Sequence, residues 1–249
     1  MNILQPLLIA LQFLTRLPIR LREIPSQQML GYSMLYYPLV GLLIGLLLAG
    51  LNALLHNADV LLRAALLLTA WVLITGALHL DGLADSTDAW LGGHGDRDRT
   101  LAIMKDPYCG PAGVVALVVV LLIKFAALAA VVSAENTFAL IAAPIIGRTA
   151  LPLLFLTTTY VRANGLGSAM AAHLPRKPAI IVISTTAIAL ISTAGTQGLW
   201  LLLACAGVFI SLRLLMIKRI GGTTGDTAGA LVEIAEATAL ATLALLDAD

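Results

Sequence analysis

Charge is what this sequence has least of. Only 12% of its 249 residues are Asp, Glu, Lys or Arg, against about 25% in a typical soluble domain. With 59% apolar residues and a mean hydropathy of +0.95, runs such as 42–48 and 114–123 exceed what one soluble core can hold. A soluble globular protein is excluded, and an integral membrane protein is expected. The net charge of +1 leaves no basic surface for a nucleic-acid partner. Only two cysteines occur, Cys109 and Cys205, and their spacing matches no metal or redox motif. Cys205 sits in an apolar run and reads as a small core residue. The start, Met1-Asn-Ile-Leu-Gln-Pro6, lacks the basic segment and the small-residue cleavage site of a secretory signal, so it reads as part of the mature chain. Low-complexity tracts, linkers and repeats are also missing, which makes 1–249 a single membrane-embedded domain.

What is present is a series of apolar segments. A membrane-crossing helix needs about 20 mostly apolar residues. Spans are expected near 31–55, 61–80, 111–133, 138–159, 178–195, 199–216 and 227–246, and the shorter stretch 2–15 forms either a tilted span or an interfacial helix. The expected fold is all-α, a polytopic bundle of seven or eight apolar helices. Twelve of the fifteen cations share one side if every span crosses. These are Arg16, Arg20, Arg22, Arg97, Arg99, Lys105, Arg162, Arg176, Lys177, Arg213, Lys218 and Arg219. The opposite connections carry none, so the positive-inside rule makes the basic side cytoplasmic. The long 81–110 loop belongs to that side and holds six of the fourteen acids.

Three of those acids are spaced for chemistry. In His79-Leu-Asp-Gly-Leu-Ala-Asp-Ser-Thr-Asp88, Asp81, Asp85 and Asp88 follow i, i+4, i+7 and share one face of a helix. Three like charges on one face call for a cation. Magnesium takes such oxygen ligands and shares them with substrate phosphates. The alternative is a solvated helix start with acids favoured by the dipole. His79 is a general base, a metal ligand or an interfacial side chain.

A second constellation is Gly221-Gly-Thr-Thr-Gly-Asp226-Thr-Ala-Gly229, followed by Glu233 and Glu236 within a span. Thr223, Thr224 and Gly225 before a helix offer hydroxyls and backbone N–H groups to an anion. Asp226 and Glu233, seven apart, share a face, and intramembrane acids are functional candidates. The alternative is a Gly-rich turn with a capping aspartate. Arg97, Arg99, Lys105 and Asp106 form a charged loop able to clamp a diphosphate or simply to meet water. Arg148 lies mid-span and needs a polar interior; Lys124, also mid-span, needs an acid; Arg63 snorkels from a span end.

These segments together resemble the cobalamin synthase family, the adenosylcobinamide-GDP ribazoletransferases. The resemblance rests on 79–85, on Asp98-Arg-Thr-Leu-Ala-Ile-Met-Lys-Asp106 and on 221–233. It is supported by Phe13-Leu-Thr-Arg16-Leu-Pro18, Tyr37-Pro38-Leu-Val-Gly41, Gly147-Arg148-Thr149-Ala150 and Arg162-x-x-Gly165-Leu-Gly167. It covers about 11–240. Two departures bear on loop shape and substrate preference. Asp88 is followed by Ala89 rather than Gly, and Asp106 by Pro-Tyr-Cys-Gly-Pro-Ala-Gly rather than Ser-x-x-Gly-x-x-Gly.

The resemblance implies that a ribose hydroxyl of α-ribazole, or of its 5′-phosphate, attacks the cobinamide-proximal phosphorus of adenosylcobinamide-GDP and expels GMP, late in cobalamin biosynthesis. It implies Mg2+ held by Asp81, Asp85 and Asp88 with Asp226, and His79 or one of these carboxylates deprotonating the hydroxyl. Arg97, Arg99, Lys105, Asp106, Arg148, Thr223, Thr224 and Gly225 would bind substrate. The site would lie at the cytoplasmic edge of the inner membrane. Membrane lipid and other enzymes of nucleotide-loop assembly are the expected partners, and an oligomer is compatible with it.

Two other readings fit less well. A CDP-alcohol phosphotransferase needs Asp-Gly-x-x-Ala-Arg, and here Asp81-Gly82 continues Leu-Ala-Asp-Ser. An ion-coupled transporter would use Asp226, Glu233 and Arg148, yet the densest acids lie at an edge rather than near the midplane.

Overall fold

In the computed structural model, residues 4–21, 23–163 and 165–247 are described; Arg22 and residues 2 and 3 of the first apolar stretch lie outside them. The described residues form twelve α-helices and no strand. They are α1 (Leu4–Leu14), α2 (Gln27–Ser33), α3 (Tyr37–Leu54), α4 (Val60–Thr75), α5 (Leu78–Gly92), α6 (Arg97–Ile103), α7 (Pro111–Ser133), α8 (Thr137–Thr157), α9 (Leu166–His173), α10 (Arg176–Ala194), α11 (Thr196–Ile220) and α12 (Gly225–Leu246). A 3-10 turn joins α2 to α3.

Six helical stretches are long and apolar enough to cross a membrane: Gln27–Leu54, α7, α8, α10, α11 and α12. A seventh is counted if the bent pair α4–α5 is one span, so the described residues give six to seven where seven or eight were expected. The all-α polytopic bundle expected from hydropathy is therefore the fold observed. Short polar side chains start several helices by accepting the backbone N–H groups that the first turn leaves unpaired. Asp59 does so for α4, Asp96 for α6 and Asn136 for α8. The most buried crossings are α8 and α12, which carry the core side chains Leu140, Leu151, Leu154, Leu231 and Leu240. At one end of the bundle Asp247 closes the connections, accepting from Asn136 Nδ2 at 2.6 Å and Gln197 Nε2 at 3.2 Å.

The other end departs from the expected outline. The span foreseen at 61–80 stops at Thr75, because Gly76 and Ala77 both take the left-handed conformation (φ +63° and +56°). The chain turns by 88° there. Arg16 packs over the turn, its N–H donating to Ile74 O at 2.7 Å. The stretch 81–110, expected as a loop, is thus mostly α5 and α6. We read α5 as lying outside the spans, across the ends of α7 and α12, against which it packs. Likewise the 160–177 connection contains α9.

Candidate active site

α5 is two-faced. His79, Leu80, Gly82, Leu83, Ala84 and Ser86 are buried, whereas Asp81 is exposed and Asp85 and Asp88 are half-buried. The buried face meets the first turns of α12. Gly82 makes this approach possible: a Cβ there would stand 2.6 Å from the carbonyl oxygen of Asp226. Gly82→Val is therefore expected to push α5 off α12, and with it Asp81 and Asp85 away from Asp226. The check is turnover in a variant that still inserts and melts as one unit, and more than a tenth of normal activity would contradict this packing account.

The three aspartates do not play equal parts. Asp81 and Asp85 make no hydrogen bond or ion pair with any described residue. Asp88 is engaged through both oxygens, which accept from the N–H groups of Gly110 (2.7 Å) and Gly113 (2.9 Å) at the start of α7. The sequence 107–113 departs from the family pattern but keeps both of these glycines. Partial burial, and then the charges of Asp81, Asp226 and Asp88, lift the Asp85 carboxyl to about 6, with Arg162 opposing. The carboxylates thus lie within one another's field, and two of them have open oxygens.

Asp226 faces this cluster from the first turn of α12. Tyr160 and Thr223 form an isolated parallel bridge. Its hydrogen bonds run from Thr223 N to Thr159 O (2.8 Å) and from Val161 N to Thr223 O (2.9 Å). That pairing brings Arg162, part of the family-like segment but not expected among the site residues, to Asp226, with Nη2 donating to Oδ2 at 2.8 Å. Thr223 and Thr224 differ from expectation. Both are fully buried, and they bond to Thr227 in the cap of α12 (Thr224 N to Thr227 Oγ1, 2.9 Å; Thr223 Oγ1 to Thr227 Oγ1, 2.9 Å). Their hydroxyls hold the turn and do not reach an open surface. Gly225 does border the cavity described next.

A cavity of about 400 Å3 opens beside Asp81, Arg162 and Asp226. His79 also borders it; the residue is buried and its Nδ1 has no partner among the described residues. Of the basic candidates, Arg99 and Lys105 are exposed in and just after α6. Arg97 Nε donates to Ile220 O at 3.0 Å, and Asp106 accepts from Tyr108 N at 3.1 Å. Met104 ties this segment to the site, since its carbonyl accepts from Arg162 at 3.5 Å. Cys109, unassigned from sequence, is exposed with Sγ 3.8 Å from Asp88 Oδ2.

Arg148 lies elsewhere. It is buried within the bundle, paired with Glu236 and not part of the cavity wall. Lys124 Nζ bonds Glu233 (2.6 Å) and Glu236 (2.5 Å) and lies 4.7 Å from the Trp71 ring centroid. Two cations and two anions balance, so the acid that mid-span Lys124 requires is present twice. A substrate contact by Arg148 is not what this packing provides.

No group of three or more His, Cys, Asp and Glu among the described residues is already drawn together as a metal cage. The donor chemistry nevertheless fits a hard cation. Asp81 and Asp85 are carboxylates with open oxygens on one helix face, Asp226 faces them, and Asp85 is raised by burial first and then by the neighbouring carboxylates. Magnesium binds by one or two carboxylates with phosphates completing its shell, and a preformed cage is not required.

Comparison with known proteins adds relatives along nearly the whole length. The family model described as cobalamin-5-phosphate synthase matches residues 6–244. The chain is 58% identical over 241 residues to the adenosylcobinamide-GDP ribazoletransferase of Pseudomonas savastanoi pv. phaseolicola, covering 97% of this chain and 99% of the relative. It is 59% identical over 241 residues to the protein of that name from Pseudomonas syringae pv. syringae, with the same coverage. Against the one from Pseudomonas fluorescens it is 59% identical over 240 residues, 96% of this chain and 99% of the relative. No solved structure matches.

Proposed function

The chain belongs to the cobalamin-5-phosphate synthase family, and from that premise we propose that it joins adenosylcobinamide-GDP to α-ribazole or α-ribazole 5′-phosphate. The products are adenosylcobalamin or its 5′-phosphate, and GMP, in a late step of cobalamin biosynthesis. The observation that carries this reading is the meeting of open carboxylates, a carboxylate–guanidinium pair and a nucleoside-sized cavity at one edge of the bundle.

A ribose hydroxyl oxygen bonds to the cobinamide-proximal phosphorus, the bridging P–O bond breaks, GMP leaves with that oxygen, and the hydroxyl proton is released. A carboxylate at the cavity, Asp81 or Asp226, would take it; His79 borders the cavity as well, but its unpartnered Nδ1 is sealed from solvent and burial disfavours its charged form. Arg162 neutralises one side of Asp226 and holds it toward the cavity mouth. Asp88 pins α5 to α7 through Gly110 and Gly113, which fixes where Asp81 and Asp85 stand. Exposed Arg99 and Lys105 supply positive charge for the nucleotide.

Magnesium would be held by Asp81 and Asp85 with Asp226; Asp88, expected as a fourth ligand, has both oxygens occupied by the N–H groups of Gly110 and Gly113. When bound it neutralises the diphosphate and stabilises charge on the leaving oxygen. In the cell the protein would be multi-pass in the cytoplasmic membrane with this edge facing the cytoplasm, a reading supported by the one-sided cations when α4 is counted as a crossing. The assay uses purified protein in lipid with adenosylcobinamide-GDP, α-ribazole and magnesium. GMP and cobamide are expected to appear in equal amounts, to stop on chelation and to resume with added magnesium. Product formation indifferent to chelation would remove the metal, and no product would remove the reaction.

A further inference from the structure

Beyond its acidic mouth the cavity changes character. The rest of its lining includes buried Tyr37, Leu151 and Met170 and half-buried Phe13 and Phe155. Two ring pairs stand on it. Phe13 and Tyr37 have centroids 6.4 Å apart at 21°, and Phe155 and Tyr160 are 5.6 Å apart at 32°. The Tyr37 hydroxyl, the polar atom of its wall, is turned to Met170 Sδ at 3.5 Å. The lining away from Asp81, Arg162 and Asp226 is thus largely aromatic and apolar, and those three ionic groups stand on its more exposed part.

The two substrates of the proposed reaction make opposite demands. A corrin with its amide arms is far larger than about 400 Å3. Guanine carries an amide and an amine along one edge, and burying these without partners is unfavourable by several kcal/mol at the upper end. The dimethylbenzimidazole of α-ribazole has two methyl groups on that edge and nothing to satisfy. Its size also suits the cavity, which falls within the range of about 300–1,000 Å3 usual for small-molecule sites.

We infer that the part of the cavity lined by the Phe13–Tyr37 and Phe155–Tyr160 pairs receives the aromatic base of α-ribazole, methyl edge inward, with its ribose beside Asp81 and Asp226. This assignment rests on the proposed reaction for the identity of its ligand. It leaves the corrinoid and the GDP outside this aromatic slot, against the surface formed by α5 and α6.

Binding and turnover separate the two claims. α-Ribazole is titrated against the full-length wild type, Phe155→Ala and Phe13→Ala in lipid nanodiscs, without the corrinoid substrate. Removing one stacking ring is expected to raise the α-ribazole Kd about tenfold or more, with the KM for adenosylcobinamide-GDP unchanged. On the wild type, the riboside of unmethylated benzimidazole is expected to bind about tenfold more weakly, from two lost buried methyl groups. This ligand comparison stands even if a variant fails to fold. Indifference to the methyl groups, or variants that raise the KM of the corrinoid substrate instead, would overturn the slot assignment. If α-ribazole binds as described but no GMP is released, the reaction fails and the slot survives. If product forms normally and neither variant alters α-ribazole binding, the slot fails and the reaction survives.

Discussion

Asp81→Asn is expected to lower turnover by on the order of 10²–10³-fold, the scale of losing one charge-stabilising group at a reacting centre, while insertion and melting stay normal. The carboxylate is exposed and makes no hydrogen bond or ion pair with any described residue, so the described fold does not depend on it. Removing its charge also relieves the repulsion that helps to raise Asp85. The change should thus be neutral or mildly favourable for stability and severe for activity. A magnesium titration reads the cause, because the variant should need more cation for the activity that remains. Asp88→Asn serves as the contrast. It removes an acceptor from Gly110 or Gly113, so its loss of activity should come with altered stability. Full activity in Asp81→Asn would end the proposed division of labour on α5.

Lys124→Met carries the largest expected effect on stability. In the bundle interior Lys124 and Arg148 face Glu233 and Glu236, with Lys124 bonded to both acids. Taking away one cation leaves two buried carboxylates with a single guanidinium. Breaking a buried pair in this way is unfavourable by about 3–5 kcal/mol, and the low-dielectric surroundings leave no water to compensate. Adding Glu233→Gln restores the balance of charge and should recover more than half of that loss. Both changes are read as the free energy of unfolding in bicelles, beside the specific activity of the folded fraction. If Lys124→Met unfolds like the wild type, these ions do not hold α7, α8 and α12 together.

The parts legible in the sequence were those set by local pattern. Long apolar runs foretold the helices, and the i, i+4, i+7 spacing foretold that Asp81, Asp85 and Asp88 share a face of α5. The parts that were not legible depend on contacts between distant segments. Hydropathy runs smoothly through Gly76, so nothing local announced that two consecutive left-handed residues end the span there. Arg162 lies 64 residues from Asp226, and only the pairing of Tyr160 with Thr223 brings them together. Thr223 and Thr224 look like anion ligands by composition, yet a capping turn uses the same hydroxyls. Arg148 was marked as needing a polar interior, and Glu236 of the neighbouring α12 supplies it.

The 88° turn after α4 has an electrical consequence. By laying α5 across the bundle instead of continuing it inward, the turn keeps the open carboxylates at one rim. Beneath the cavity the interior is filled by apolar side chains and by Lys124, Arg148, Glu233 and Glu236 in closed pairs. Hydrated, highly charged reactants can therefore be handled at the rim of this bundle without a water-filled path to the other side. The protein can work in a membrane that must stay an insulator, and its catalysis need not short-circuit the voltage across it.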